Sequence, residues 1–186
     1  MSRAITAPRA TLADLARAEG KAELVGGRVT PLNPTGHHPN IVAGRIFRRL
    51  ADHADSTGQG VAFTDNMGFA VPELSTGRES FSPDAAYYTG PVPADRMRFV
   101  EGPPDFAAEV RSEGDYGAAA EAALAAKRAE YFEAGTVVVW DVDTEAGLVR
   151  RYRAGEDAPA VFSAGMLADA EPAVLGWQVA VDWLMA

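Results

Sequence analysis

Between Pro39 and Ala54 the apolar residues Val42, Ile46 and Leu50 recur every four positions, with Ala43, Phe47 and Ala54 beside them. That spacing is one face of an α-helix. Pro39 is tolerated in a first helical turn, so the helix is expected to begin near it. Arg45, Arg48, Arg49 and Asp52 fall mostly off the stripe. A solvated face with salt bridges is the expected reading of these arginines, and a grip on a phosphate backbone is its alternative. Upstream, Thr11 to Glu19 reads as a short helix with Thr11 as its N-cap. Glu23-Leu24-Val25, Gly26-Gly27 and Arg28-Val29-Thr30 read as a hairpin, because a Gly-Gly pair meets the positive φ angles of a tight turn. Pro31 to His38 carries turn chemistry in Asn33-Pro34 and Gly36.

Downstream, Val61 to Phe63, Phe69 to Val71, Ser82 to Tyr88 and Phe106 to Ser112 read as strands, and Pro91 to Pro104 as loop. Gly117 to Glu133 is almost all Ala, Glu and Lys/Arg. It reads as a helix stopping at Gly135, the expected C′ residue. Thr136 to Val142 is a buried strand, and Leu148 to Arg153 pairs with it as a hairpin. Trp177, Val179, Val181, Trp183 and Leu184 read as packing. Strands and helices in this order predict an α/β (α+β) fold, a mixed sheet flanked by helices.

At 186 residues, 47% of them hydrophobic, the chain is expected to form a single domain, residues 1–186, with a short N-terminal helical lead-in. It has no cysteine, so disulfides and thiolate metal sites are excluded and a reducing, cytoplasmic compartment fits. Met1 to Gly20 contains no long apolar run, so neither a signal peptide nor a membrane anchor is expected. The net charge of −9 counts against a strong, non-specific binder of nucleic acid. It does not exclude an enzyme, because metal ions offset carboxylates locally.

Only two of the 17 basic residues are lysines, Lys21 and Lys127. Where a chain that otherwise uses arginine keeps a lysine, the distinct chemistry of lysine is a candidate reason. Asp84 stands at the start of a strand, just after Pro83. Glu109 interrupts an apolar strand, where an unpaired carboxylate is costly. Alternation places Ala107, Glu109 and Arg111 on one face. A salt bridge from Glu109 to a neighbouring arginine is the bland account of it. Glu23 opens the hairpin and reads most simply as an exposed strand-edge glutamate. Lys127 follows on the Ala-rich helix, where pairing with Glu130 or Glu121 is the ordinary alternative. His37 and His38 lie in a loop without metal-ligand spacing. No nucleophile motif and no phosphate-cradling glycine loop is present.

The order of these residues resembles the Uma2 family (DUF820), within the PD-(D/E)XK nuclease-like superfamily. Glu23-Leu24-Val25-Gly26-Gly27-Arg28-Val29 is similar to its opening motif. Pro34 with His38-Pro39-Asn40-Ile41 is similar to its Pro and His-x-x-Ile stretch. Ser82-Pro83-Asp84-Ala85-Ala86-Tyr87 is similar to its Pro-Asp strand. Ala108-Glu109-Val110-Arg111-Ser112 with Asp115 is similar to its Glu-Val-x-Ser strand and following acid. Lys127, Tyr131, Gly135 and Trp140-Asp141-Val142-Asp143 follow in the family's order, and Leu175-Gly176-Trp177 resembles its near-terminal element.

The resemblance implies a restriction-endonuclease-like core and a metal-dependent endonuclease acting on DNA. Asp84 and Glu109 would hold Mg2+ or Mn2+. Glu23 would assist through a water or a second ion, and Lys127 would serve the attacking water or the phosphate. Arg111 occupies the position where the wider superfamily carries its lysine. Lys127 follows Glu109 by 18 residues, about one helical turn more than the pattern calls for. Its place at the site therefore depends on which end of the helix carries the extra turn. A homodimer is compatible with cutting both strands of a duplex. Two other readings stand beside this one: a catalytically inactive interaction module on the same fold, and a different metallohydrolase using His38.

Overall fold

The computed structural model describes residues 8–186. Its elements run α1 (Leu12–Leu15), β1 (Ala22–Val25), β2 (Arg28–Pro31), α2 (His37–Thr57), β3 (Val61–Thr64), β4 (Phe69–Ala70), β5 (Ser80–Phe81), β6 (Ala85–Tyr88), β7 (Val100–Glu101), β8 (Phe106–Val110), α3 (Ala118–Ala134), β9 (Val138–Asp143), β10 (Leu148–Arg153), β11 (Ala160–Phe162), β12 (Leu167–Asp169), β13 (Gln178–Ala180) and α4 (Val181–Met185). A six-stranded sheet in the order β11-β10-β9-β8-β6-β3 is the centre. It is antiparallel except where β8 and β9 pair in parallel, and α3 is the crossover that such a pair requires. Three smaller sheets surround it: β1-β2, β12-β13 and β5-β4-β7. The expected mixed sheet flanked by helices is therefore the architecture.

The two faces of the sheet follow from strand alternation. Phe106, Ala108, Val110, Val138, Trp140 and Val142 point to one face and pack with Val42, Ile46 and Leu50 of α2 and with Trp177, Val179 and Leu184 near the C-terminus. Ala86, Ala107 and Val139 point to the other and meet Phe69, Phe81 and Tyr131 of the second cluster. Every residue of β9 is buried, as expected for a central strand covered on both faces.

The β1–β2 turn has Gly26 at φ 58° and Gly27 at φ 67°, with Val25 paired to Arg28. That is the two-residue hairpin the glycines predict. A Cβ at Gly27 would also run into the aliphatic stem of Arg9. Gly27→Ala is expected to destabilise the protein by about 1–2 kcal/mol, the cost of an L-residue held left-handed. A urea midpoint unchanged from wild type would contradict this.

Several elements differ from expectation. Helix α2 begins two residues before Pro39, with Gly36 as N-cap. Helix α1 is one turn long; Thr11 does cap it, in a capping box with Asp14. Of the expected Ser82–Tyr88 strand only Ala85–Tyr88 forms, as β6; β5 ends at Phe81, before Pro83, which has no N–H to give a ladder. The Pro91–Pro104 loop contains β7, paired to β4. Arg48 and Arg49 lie exposed, as expected, and Arg49 is 3.9 Å from Asp52, but Arg45, Arg48 and Arg49 also share a partner that the stripe does not indicate. Their guanidinium groups lie 5.6, 4.9 and 5.9 Å from the ring centre of Trp183, so cation–π contact organises this face.

Candidate active site

The site begins with strand register. In β6 and β8, Ala85 faces Ala108 and Ala86 faces Ala107. One residue further, the same register sets Asp84 opposite Glu109. The Asp84 N–H still bonds to the Ala108 carbonyl at 3.1 Å, so the chain remains beside β8 there. On the other side, parallel pairing puts Glu109 beside Asp141 of β9. Three carboxylates thus lie in a row across three adjacent strands, an arrangement that repels itself unless cations are supplied.

Each member of the row has its own cation. Lys21 Nζ donates to Asp84 Oδ1 at 2.8 Å. Lys127 Nζ donates to Glu109 Oε2 at 2.9 Å. Arg111 meets Asp141 side-on, with Nε and Nη2 each 2.6 Å from a carboxylate oxygen, and it also binds Glu121. The second oxygens are engaged too. Val110 N–H reaches Asp84 Oδ2 at 2.8 Å, and the Tyr131 hydroxyl donates to Glu109 Oε1 at 2.6 Å. Lys127 and Tyr131 project from one face of α3 because four residues separate them, about one turn. Tyr131 is held by stacking on Phe81, with ring centres 4.1 Å apart.

Glu23 lies behind this row and is 3% exposed; it is not the exposed edge residue its place in the hairpin suggests. Its Oε1 accepts the Ser82 N–H at 2.9 Å and sits 3.3 Å from Lys127 Nζ. Its Oε2 takes Arg78 Nη1 at 2.5 Å, and Arg78 Nε reaches on to Glu130 at 2.6 Å. Burial pushes the Glu23 carboxyl up, but Lys127 and Arg78 more than offset it and hold it below the usual range. Glu109 goes the other way: burial, with Asp84 and Glu23 nearby, outweighs Lys127 and raises it. Burial opposes the charge on Lys127, yet Glu109 and Glu23 keep its ammonium above the ordinary lysine range.

Lys21, Asp84, Glu109 and Lys127 line the head of an open cleft of about 870 Å³, with His38 and Tyr116 on its walls. Of the four residues expected at the site, Asp84, Glu109 and Lys127 come together here, and Glu23 supports them from within. The extra length before Lys127 does not displace it from Glu109. The salt bridge of Glu109 is made by a lysine and not by an arginine. Arg111, paired with Asp141 and Glu121, does not line the cleft. Lys127 does not pair with Glu130 or Glu121.

Sequence reasoning missed Lys21, Arg78 and Asp65, whose carboxylate lies 2.5 Å from Lys21 Nζ. The scarcity of lysine was the signal for Lys21, since both lysines of the chain stand at this site. Nothing in the sequence marks Arg78 among fifteen arginines.

Comparison with known proteins agrees with this architecture. A search of the solved structures finds a crystal structure from Anabaena variabilis, titled a "putative nuclease belonging to DUF820". It superposes with a TM-score of 0.75 at 14% identity, covering 94% of this chain and 97% of that one. At that identity the likeness establishes the fold. No curated protein matches. The family described as Uma2, "Putative restriction endonuclease", matches residues 10–182. That span is nearly the whole chain, and the chain belongs to the Uma2 family of restriction-endonuclease-like proteins.

Proposed function

We propose that this chain is a divalent-metal-dependent endonuclease that hydrolyses DNA phosphodiester bonds, with Asp84 and Glu109 as metal ligands and Lys127 as the cation beside the reacting phosphate. The observation that carries the reading is the cross-strand pair Asp84 and Glu109 at the head of the cleft, with Lys127 on Glu109. The donor set fits Mg2+ or Mn2+: both candidate ligands are hard carboxylate oxygens, and Mg2+ binds through one or two carboxylates while keeping several waters. Charge fits as well. Lys21, Arg78 and Lys127 make their ion pairs with five carboxylates, Glu23, Asp65, Asp84, Glu109 and Glu130. The excess of two negative charges matches one divalent cation. Among the described residues no group of three or more His, Asp or Glu is arranged to hold a metal, so the reading rests on two carboxylates and not on a closed ligand cage.

A bound ion would supply charge stabilisation at the phosphate and a water of lowered pKa. The protein's own part is positioning. Val110 N–H and Tyr131 hydroxyl fix the two carboxylates from behind. Glu23 and Glu109 hold the Lys127 ammonium between them, pointed at the cleft, where it can meet charge developing on a phosphate oxygen. The partners of Glu23 are Ser82, Arg78 and Lys127, which supports a role in positioning Lys127.

A second reading has one observation in its favour. Glu113, Asp115 and Glu145 also line the cleft, and among the described residues no arginine does; an acidic wall suits a non-catalytic module better than a polyanion track. The two readings separate in one assay. Supercoiled plasmid is incubated with the wild-type protein in Mg2+, Mn2+ or EDTA. Nicking with either metal and none in EDTA is expected; no nicking with either metal overturns the enzyme reading. With only two lysines in the cleft, the affinity for DNA in the metal-loaded state is expected to fall with salt at a log–log slope no steeper than about −2. A slope several units steeper would place the main DNA contacts elsewhere on the chain.

A further inference from the structure

We infer that Lys21 is a displaceable counter-ion of the metal site, occupying the oxygen of Asp84 that a divalent cation takes and thereby setting the metal affinity. This rests on the proposed metal-dependent reading and concerns a residue to which that reading gives no ligand or catalytic role.

The two oxygens of Asp84 are not equivalent. Oδ2 is committed to the backbone N–H of Val110, a contact that the strand register enforces. Oδ1 is left facing the cleft, and Lys21 Nζ covers it at 2.8 Å. An ion binding Asp84 at Oδ1 must share that oxygen with a fixed positive charge or drive the ammonium away. Like charges a few ångströms apart in a partly buried site repel strongly, so displacement is the favourable course.

Displacement is also easy here. Lys21 Nζ already has a second partner in Asp65 Oδ1 at 2.5 Å, on the turn that follows β3. The lysine stem is flexible and carries a point charge with rotatable donors, unlike an arginine fork. It can release Asp84 and remain paired. Lys21 and Asp84 both line the open cleft, so the exchange needs no opening of the core. Lys127 differs: its two partners, Glu109 and Glu23, lie at and behind the row, and no third acid is paired with it. The chain's two lysines therefore divide into one whose acids both belong to the site and one shared between the site and Asp65 outside the row.

The test is isothermal titration with Mn2+ alone, on the full-length wild-type chain and on Lys21→Met, Asp65→Asn and Asp84→Asn, each checked for its thermal melt. Lys21→Met is expected to bind Mn2+ at least tenfold more tightly. Asp65→Asn, which removes the alternative partner, is expected to bind several-fold more weakly. Asp84→Asn is expected to lose the site. If Lys21→Met binds as wild type or more weakly while Asp84→Asn loses binding, the metal site stands and the displacement idea falls. If neither wild type nor Lys21→Met takes up Mn2+, the metal-dependent reading falls and this inference with it. A variant that takes up Mn2+ only once Lys21 is gone supports both.

Discussion

Replacing Asp84 by asparagine is expected to reduce metal-dependent nicking at least about a thousandfold, with the fold intact. Asparagine keeps the shape and an oxygen for the Val110 N–H, but it removes the charge that a divalent ion needs. Metal ions contribute several kcal/mol to a phosphoryl transition state, and each 1.36 kcal/mol is a factor of ten. Lys127→Met is expected to cost about 10²–10³, the range for removing one preorganised electrostatic donor. Methionine is close in volume, and Lys127→Arg, which restores the charge, is expected to recover part of the loss. The readout is initial nicking rate in Mg2+ and in Mn2+, with far-UV dichroism as the control for folding. Activity lost in Asp84→Asn and kept in Lys127→Met would make the lysine a counter-ion for Glu109 and Glu23 and nothing more.

The second large effect is on stability. Arg78 is 8% exposed, and it is the bridge between Glu23 and Glu130, with its guanidinium 5.0 Å from the ring centre of Phe81. Arg78→Leu leaves two buried carboxylates facing each other with less charge between them. Breaking a buried ion pair by removing one partner costs about 3–5 kcal/mol, so the melting temperature is expected to fall by roughly 10 °C. The contrast is Arg98 with Asp95, whose side chains are 71% and 59% exposed. A surface pair of that kind contributes about 0–1 kcal/mol, and Arg98→Ala is expected to leave the melt nearly unchanged. Equal effects of the two substitutions would show that the buried network carries no particular load. Because Glu23 also holds Lys127, Arg78→Leu should lower activity as well as stability.

Much of the fold was legible because its signals are local. The α2 stripe through Val42, Ile46 and Leu50, the Gly26-Gly27 turn, the α3 stop at Gly135 and the β9–β10 hairpin each need only a few neighbouring residues to declare themselves. Strands of two or three residues, such as β5, β7 and β12, have no period to read. They exist because a distant partner strand supplies the other half of each ladder. The contact of Arg45, Arg48 and Arg49 with Trp183 was illegible for a similar reason: Trp183 comes from the far end of the chain.

At the site, the sequence by itself determined which residues were chemically out of place: a glutamate at position 109 inside an apolar strand, an aspartate behind Pro83, and two lysines in a chain that otherwise uses arginine. It could not determine partners. The tertiary structure decided that Asp84 stands opposite Glu109, that Lys127 and Lys21 take separate carboxylates, that Arg111 is bound to Asp141, and that Glu23 is buried behind Lys127. The physical reason is the range of the interactions. Propensity and periodicity act over one or two turns, whereas Lys127 and Glu109 are 18 positions apart and Lys21 and Asp84 are 63. Their choice follows from register, and register is set by the packing of both faces of the sheet at once.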